Sequence, residues 1–135
     1  MNYFDKAKNV SFLSDFKQVH IGCVAVYKKQ IIGSGYNTNK TNPIQMYYNK
    51  YRTNFELTNN SQPKLHAEMS CLLNIKHLNI DFSKVKLFIY REDKNGHIAL
   101  SRPCKACMRA IKDLGIKEIN YTDYNGYVKV ALNNK

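Results

Sequence analysis

The chain has 135 residues, 44% of them hydrophobic and 23% charged, with a formal net charge of +11. That balance reads as a single globular domain, residues 1–135, large enough to bury a core without disulfide staples, and no stretch nears the roughly 18 apolar residues of a membrane span. The positive field favours nucleotide phosphates or nucleic acid as partners, set against simple drift in a composition rich in Lys, Asn, Ile and Tyr.

The first segment, Tyr3 to Lys17, places Phe4, Ala7, Ser11 or Phe12, and Phe16 at helical spacing. It carries acids and lacks an apolar h-region, so it reads as an amphipathic helix and not as a signal peptide. The expected location is the cytoplasm, or outside the cell by a non-classical route. In a reducing compartment the four cysteines read as thiols or metal ligands. "VHIGCVAVY" (Val19–Tyr27) and "QIIGSGYN" (Gln30–Asn37) are two strands joined by Lys28–Lys29, a link so tight that they must be antiparallel neighbours. Residues 38–62 are polar and aperiodic, apart from "IQMYYNKYR" (Ile44–Arg52), which allows one or two helical turns.

"LHAEMSCLLNIKHL" (Leu65–Leu78) has helical spacing and follows Pro63. "KVKLFIYR" (Lys84–Arg91) is apolar on both faces at its centre and so reads as an interior strand. In "SRPCKACMRAIKDLG" (Ser101–Gly115), Pro103 suits a first helical turn, while Cys107, Ala110, Ile111 and Leu114 form a stripe that ends at Gly115. "KEINYTD" (Lys117–Asp123) and "YVKVAL" (Tyr127–Leu132) are strands. A helix between the strands at 84–91 and 117–123 makes those two parallel, and the short link after Asp123 makes the last strand antiparallel. The expected fold class is α/β: a three-layer α/β/α sandwich on a mixed five-stranded sheet.

Cys104 and Cys107 alone allow a disulfide, a redox pair, half a zinc site or plain core. A structural zinc would need a second Cys/His pair at similar spacing, and none is present. Instead "HAE" (His66–Glu68) opens the preceding helix. His66, Cys104 and Cys107 leave the fourth position of a tetrahedral zinc open, which is the ligand arithmetic of a catalytic metal. Glu68 need not ligate; a carboxylate beside the metal can move protons between a water and a leaving group.

"HAE", "PCKAC" (Pro103–Cys107) and "GSGYN" (Gly33–Asn37), in this order of helices and strands, resemble the cytidine-deaminase-like superfamily. "SRPC…GIK…YT" is similar to its small phage- and toxin-type members. The resemblance implies the sandwich fold of that superfamily and one Zn²⁺ per chain on His66, Cys104 and Cys107. It implies that Glu68 shuttles protons, that Asn37 contacts a sugar, and that the backbone at Ala67 faces the base. It also implies hydrolysis of cytosine to uracil, in a free (deoxy)cytidine nucleotide or in single-stranded DNA or RNA. An adenine deaminase of the same superfamily and a non-catalytic zinc-stabilised nucleic-acid-binding module are the alternatives. The antiparallel last strand reads as a departure from deoxycytidylate deaminases and from tRNA adenosine deaminases, and the histidine in "HAE" as a departure from most free cytidine deaminases. Some members of the superfamily oligomerise, so a homo-oligomer is among the expectations.

Ser101 and Arg102 sit at the expected rim, where Arg102 can face a phosphate or be an ordinary surface charge. Tyr47, Tyr48, Tyr51 and Arg52 are candidates for a lid or for stacking and phosphate contacts with a strand, against the plainer reading of a helix face packed on the sheet. Cys23 and Cys71 read as small core residues, His20 as a satisfied strand-end histidine, His77 as surface, and His97 as a loop residue that can reach the rim.

Overall fold

A computed structural model describes residues 2–16, 19–52 and 64–132. Helix α1 (Tyr3–Ser11) precedes the hairpin β1 (His20–Tyr27) and β2 (Gln30–Tyr36). Helix α2 (Pro43–Tyr48) runs into a 3-10 turn at Asn49–Tyr51. Then come α3 (Ala67–Ile75), β3 (Lys86–Glu92), α4 (Lys105–Leu114), β4 (Glu118–Asp123) and β5 (Gly126–Ala131).

The strands form one sheet in the order β2-β1-β3-β4-β5. Only β3 and β4 are parallel, joined through α4, and β5 returns antiparallel to β4. The mixed sheet read from the sequence is therefore present, with the strand that is apolar on both sides at its centre. Side-chain alternation along β1 assigns the layers. Cys23 and Ala25 enter a large core with α3 and α4, whereas Val24 and Val26 pack with Ala7 of α1 on the opposite face. The Lys28–Lys29 turn holds both residues at positive φ, 51° and 67°, as a two-residue hairpin turn demands.

Three boundaries differ from the sequence reading. Helix α1 stops at Ser11, six residues short of Lys17. Ser11 Oγ donates to the carbonyl of Lys8, and Phe12 and Leu13 have no surface to cover, being 56% and 63% exposed. Helix α3 begins at Ala67 with His66 as its N-cap. Helix α4 begins at Lys105 with Cys104 as its N-cap in extended backbone, so Pro103 lies just outside the first turn instead of in it. Its far end is as expected: Gly115 takes the left-handed conformation at φ 102°.

The glycine of "GSGYN" that matters most is Gly35. A β-carbon there would overlap the Cys71 backbone nitrogen and lie 2.6 Å from the Ala67 carbonyl oxygen. The backbone of α3 thus rests directly on β2. A short bridge between Thr41 and Lys64, with the Leu65 N–H donating to the Lys40 carbonyl, then sets His66 beside the end of that strand.

Candidate active site

The N-termini of α3 and α4 meet on the same side of the sheet. His66 caps one and Cys104 the other, and Cys107 lies in the first turn of α4. His66 Nδ1 is 3.6 Å from Cys104 Sγ and 3.3 Å from Cys107 Sγ. The three donor atoms lie within 4.8 Å of one another. Tetrahedral zinc with ordinary Zn–N and Zn–S lengths would place such atoms about 3.6 Å apart, so the cluster has the size and donor set that zinc takes. Both helix dipoles present their positive ends here, which favours thiolates.

The electrostatics of the metal-free cluster follow from this crowding. The hydrogen bond from Cys107, opposed by burial and aided by His66, holds the Cys104 thiol down to about 4. Cys107 is pushed up by its bond to Cys104 and by burial. Burial works against charge on His66, but its bond to Cys104 and the charge of Glu68 outweigh it and raise its pKa. Glu68 is 5% exposed, and desolvation raises its carboxyl to about 7 despite the opposing pull of His66.

His66, Glu68 and Cys104 face a cavity of about 550 Å³. Phe16, Val19, Ile21, Leu65 and Leu100 supply apolar wall, and Lys64, Arg91 and Arg102 supply cationic wall. Asn37 also faces it, but much of its amide is already used: Oδ1 accepts from the Ile21 N–H and Nδ2 donates to the Val19 carbonyl. Ser101 lines the cavity with a hydroxyl spent on the scaffold, donating to the Ile89 carbonyl and accepting from the Thr122 N–H at 2.7 Å. Ala67 is fully buried at the first position of α3 and is not part of the cavity wall.

The tyrosines lie elsewhere. Tyr48 and Tyr51 pack toward α4, where the Tyr48 hydroxyl donates to Asp113 and the Arg109 guanidinium stacks over Tyr51. Lys50 covers the Tyr47 ring at 4.0 Å. Arg52 lies close enough to the cluster for its positive charge to work against charge on His66. The remainder of the expected loop, residues 53–62, and Pro63 lie outside the described residues. Cys23 and Cys71 are fully buried, His20 bonds the Phe16 carbonyl, and His97 pairs with Asp93 on the surface, away from the cavity.

Sequence reading missed Lys64, Arg91 and Gln45. Lys64 was open to detection as the cation beside "LHAE". Arg91 ends a strand and looks like a surface terminus until Leu100 folds over it and accepts from its Nη1. Gln45 is a fully buried polar side chain whose Oε1 accepts from the His66 N–H at 3.1 Å. One polar residue within a tyrosine-rich turn gives no periodic signal.

The family described as the cytidine and deoxycytidylate deaminase zinc-binding region matches residues 1–123. The chain belongs to that family. Among solved structures it is similar to the dCMP deaminase of the cyanophage S-TIM5 in apo form, at 24% identity and a TM-score of 0.59, over 88% of this chain and 78% of that one. The same phage enzyme in complex with dCMP and dUMP gives 25% identity and a TM-score of 0.59, over 88% and 76%. The cytidine deaminase of Burkholderia pseudomallei gives 15% identity and a TM-score of 0.64, over 97% and 93%, a likeness of fold. No curated protein matches the chain. The antiparallel β5 expected from the short link after Asp123 is present.

Proposed function

We propose that the chain is a zinc-dependent hydrolase that converts cytosine to uracil in a small, phosphate-bearing (deoxy)cytidine nucleotide. The observation that carries this reading is one cavity with two chemistries: the His66–Cys104–Cys107 cluster with Glu68 at its base, and Lys64, Arg91 and Arg102 around its wall. Its volume is in the range of small-ligand sites. The phage dCMP deaminase complexed with dCMP and dUMP supports the same substrate class.

His66, Cys104 and Cys107 would hold the zinc, which supplies the Lewis acidity that makes water nucleophilic near neutral pH. Glu68 takes the proton released as water oxygen bonds to the ring carbon bearing the amino group. It delivers that proton to the adjacent ring nitrogen, then takes the remaining proton of the added hydroxyl and passes it to the amino group as the carbon–oxygen double bond forms, the carbon–nitrogen bond breaks and ammonia leaves. The apolar wall excludes water from the base, and the cations meet the phosphate.

Rates on deoxycytidine, its monophosphate and a single-stranded oligonucleotide test this. Specificity, kcat/KM, should favour the monophosphate over the nucleoside by about tenfold or more, as a charge-assisted contact would give. Arg102→Ala should raise KM for the monophosphate and leave the nucleoside unchanged. A single-strand reading is favoured by the net charge of +11. It would replace this one if the oligonucleotide were deaminated, with a steep salt dependence, while free nucleotides were ignored.

A further inference from the structure

We propose that Gln45 is a positioning residue that holds the His66 arm of the metal cluster in place, an inference that rests on the zinc reading above. Gln45 lies in α2, outside the two helices that carry the ligands, yet it is fully buried against them. Its neighbours Ile44 and Tyr48 pack into the apolar core, so an aliphatic side chain would satisfy packing at position 45. A buried amide is retained at a cost unless its hydrogen bonds are made.

The direction of the amide is fixed by chemistry. The His66 backbone N–H can only donate, so the Gln45 atom 3.1 Å from it is the oxygen. Nε2 then faces acceptors, and it donates to Asn49 Oδ1 at 2.9 Å. One residue of α2 therefore grips the N-cap of α3 through the His66 backbone. Asn49, one helical turn further along, braces the amide from outside. The His66 N–H belongs to the capping residue and has no partner within its helix, so Gln45 supplies what the fold leaves unmet. Partners of this kind orient ligands and tune the metal without touching it.

Zinc dissociation constants, measured by competition with a chromogenic chelator, test the proposal on wild type, Gln45→Leu and Asn49→Ala. Thermal unfolding of each protein with and without zinc accompanies them. Gln45→Leu should weaken zinc binding by about 10- to 100-fold, and zinc should raise its unfolding temperature less than it raises that of wild type. Asn49→Ala should weaken zinc binding in the same direction by a smaller factor, about two- to fivefold. A purely structural role would lower the unfolding temperature equally with and without zinc and leave the affinity unchanged, and that result overturns the proposal. If Gln45→Leu does not fold, Asn49→Ala decides: unchanged affinity overturns the proposal and weakened affinity supports it. A wild-type protein that takes up no zinc would sink the zinc reading together with this inference, whereas a wild type that binds zinc no better than Gln45→Leu sinks this inference alone.

Discussion

Glu68 is a carboxylate placed where carboxylates are costly, and that cost has a measurable sign. Its usual value of 4.5 applies to the unfolded chain, and burial raises it to about 7 in the metal-free fold. Between those values the native state keeps a proton that the unfolded state has lost. The contribution of Glu68 to stability is therefore fully present below about 4.5 and is lost as pH rises through about 7. Glu68→Gln removes this dependence. In the metal-free protein it should be more stabilising at pH 8 than at pH 5, by up to about 3 kcal/mol in denaturant unfolding. A difference between the two proteins that stays constant with pH would contradict the assignment. The residues of the candidate site were legible because metal chemistry restricts its ligands and their neighbours to few residue types at fixed spacings: His66 and Glu68 two apart, Cys104 and Cys107 three apart. Gln45 and Arg91 were not legible. Their roles arise from contacts across the fold, with the His66 backbone and with the Leu100 carbonyl, that no local pattern encodes. Asn37 and Ser101 were found at the cavity, but the scaffold bonds that occupy much of their polar capacity were invisible in the sequence.

The site at the scale of elements is a meeting of two helix starts above a sheet, and the packing of α3 on β2 fixes one of them. Gly35 permits that contact, since a β-carbon would collide with the backbone at Cys71 and Ala67. Gly35→Ala should therefore push α3 away from the strand. The expected loss is about 1–3 kcal/mol of stability, the usual penalty of overpacking, together with weaker zinc binding because His66 caps the displaced helix. Chemical denaturation with metal titration checks both; an unchanged stability would show that α3 has freedom to shift. The β1–β2 hairpin, the parallel β3–β4 pair and the antiparallel β5 all followed from loop lengths, which limit what chain can reach, whereas the β1–β3 pairing that completes the strand order did not. Helix ends followed less well. Periodicity carried α1 to Lys17, but the exposed Phe12 and Leu13 give the chain no reason to continue the helix past Ser11. Pro103 marked the start of α4 but not its register. That register puts Cys104 at the cap, where its carbonyl accepts from the Met108 N–H, and Cys107 inside the first turn.

The whole molecule combines a family scaffold with a strongly cationic surface. The match over residues 1–123 places it among the zinc-binding cytidine and deoxycytidylate deaminases, and the cavity beside the cluster carries Lys64, Arg91 and Arg102. No helix among the described residues is long and apolar enough to cross a membrane. The central claim is that one zinc on His66, Cys104 and Cys107, with Glu68 beside it, deaminates cytosine nucleotides. The most direct measurement is conversion of deoxycytidine monophosphate to deoxyuridine monophosphate by zinc-loaded wild type and zinc-loaded Glu68→Gln, with metal content determined on the same samples. Wild type should turn over, and Glu68→Gln should be slower by about 10²- to 10⁴-fold at equal zinc content. Equal turnover by both proteins, or none by wild type carrying one zinc per chain, would contradict it.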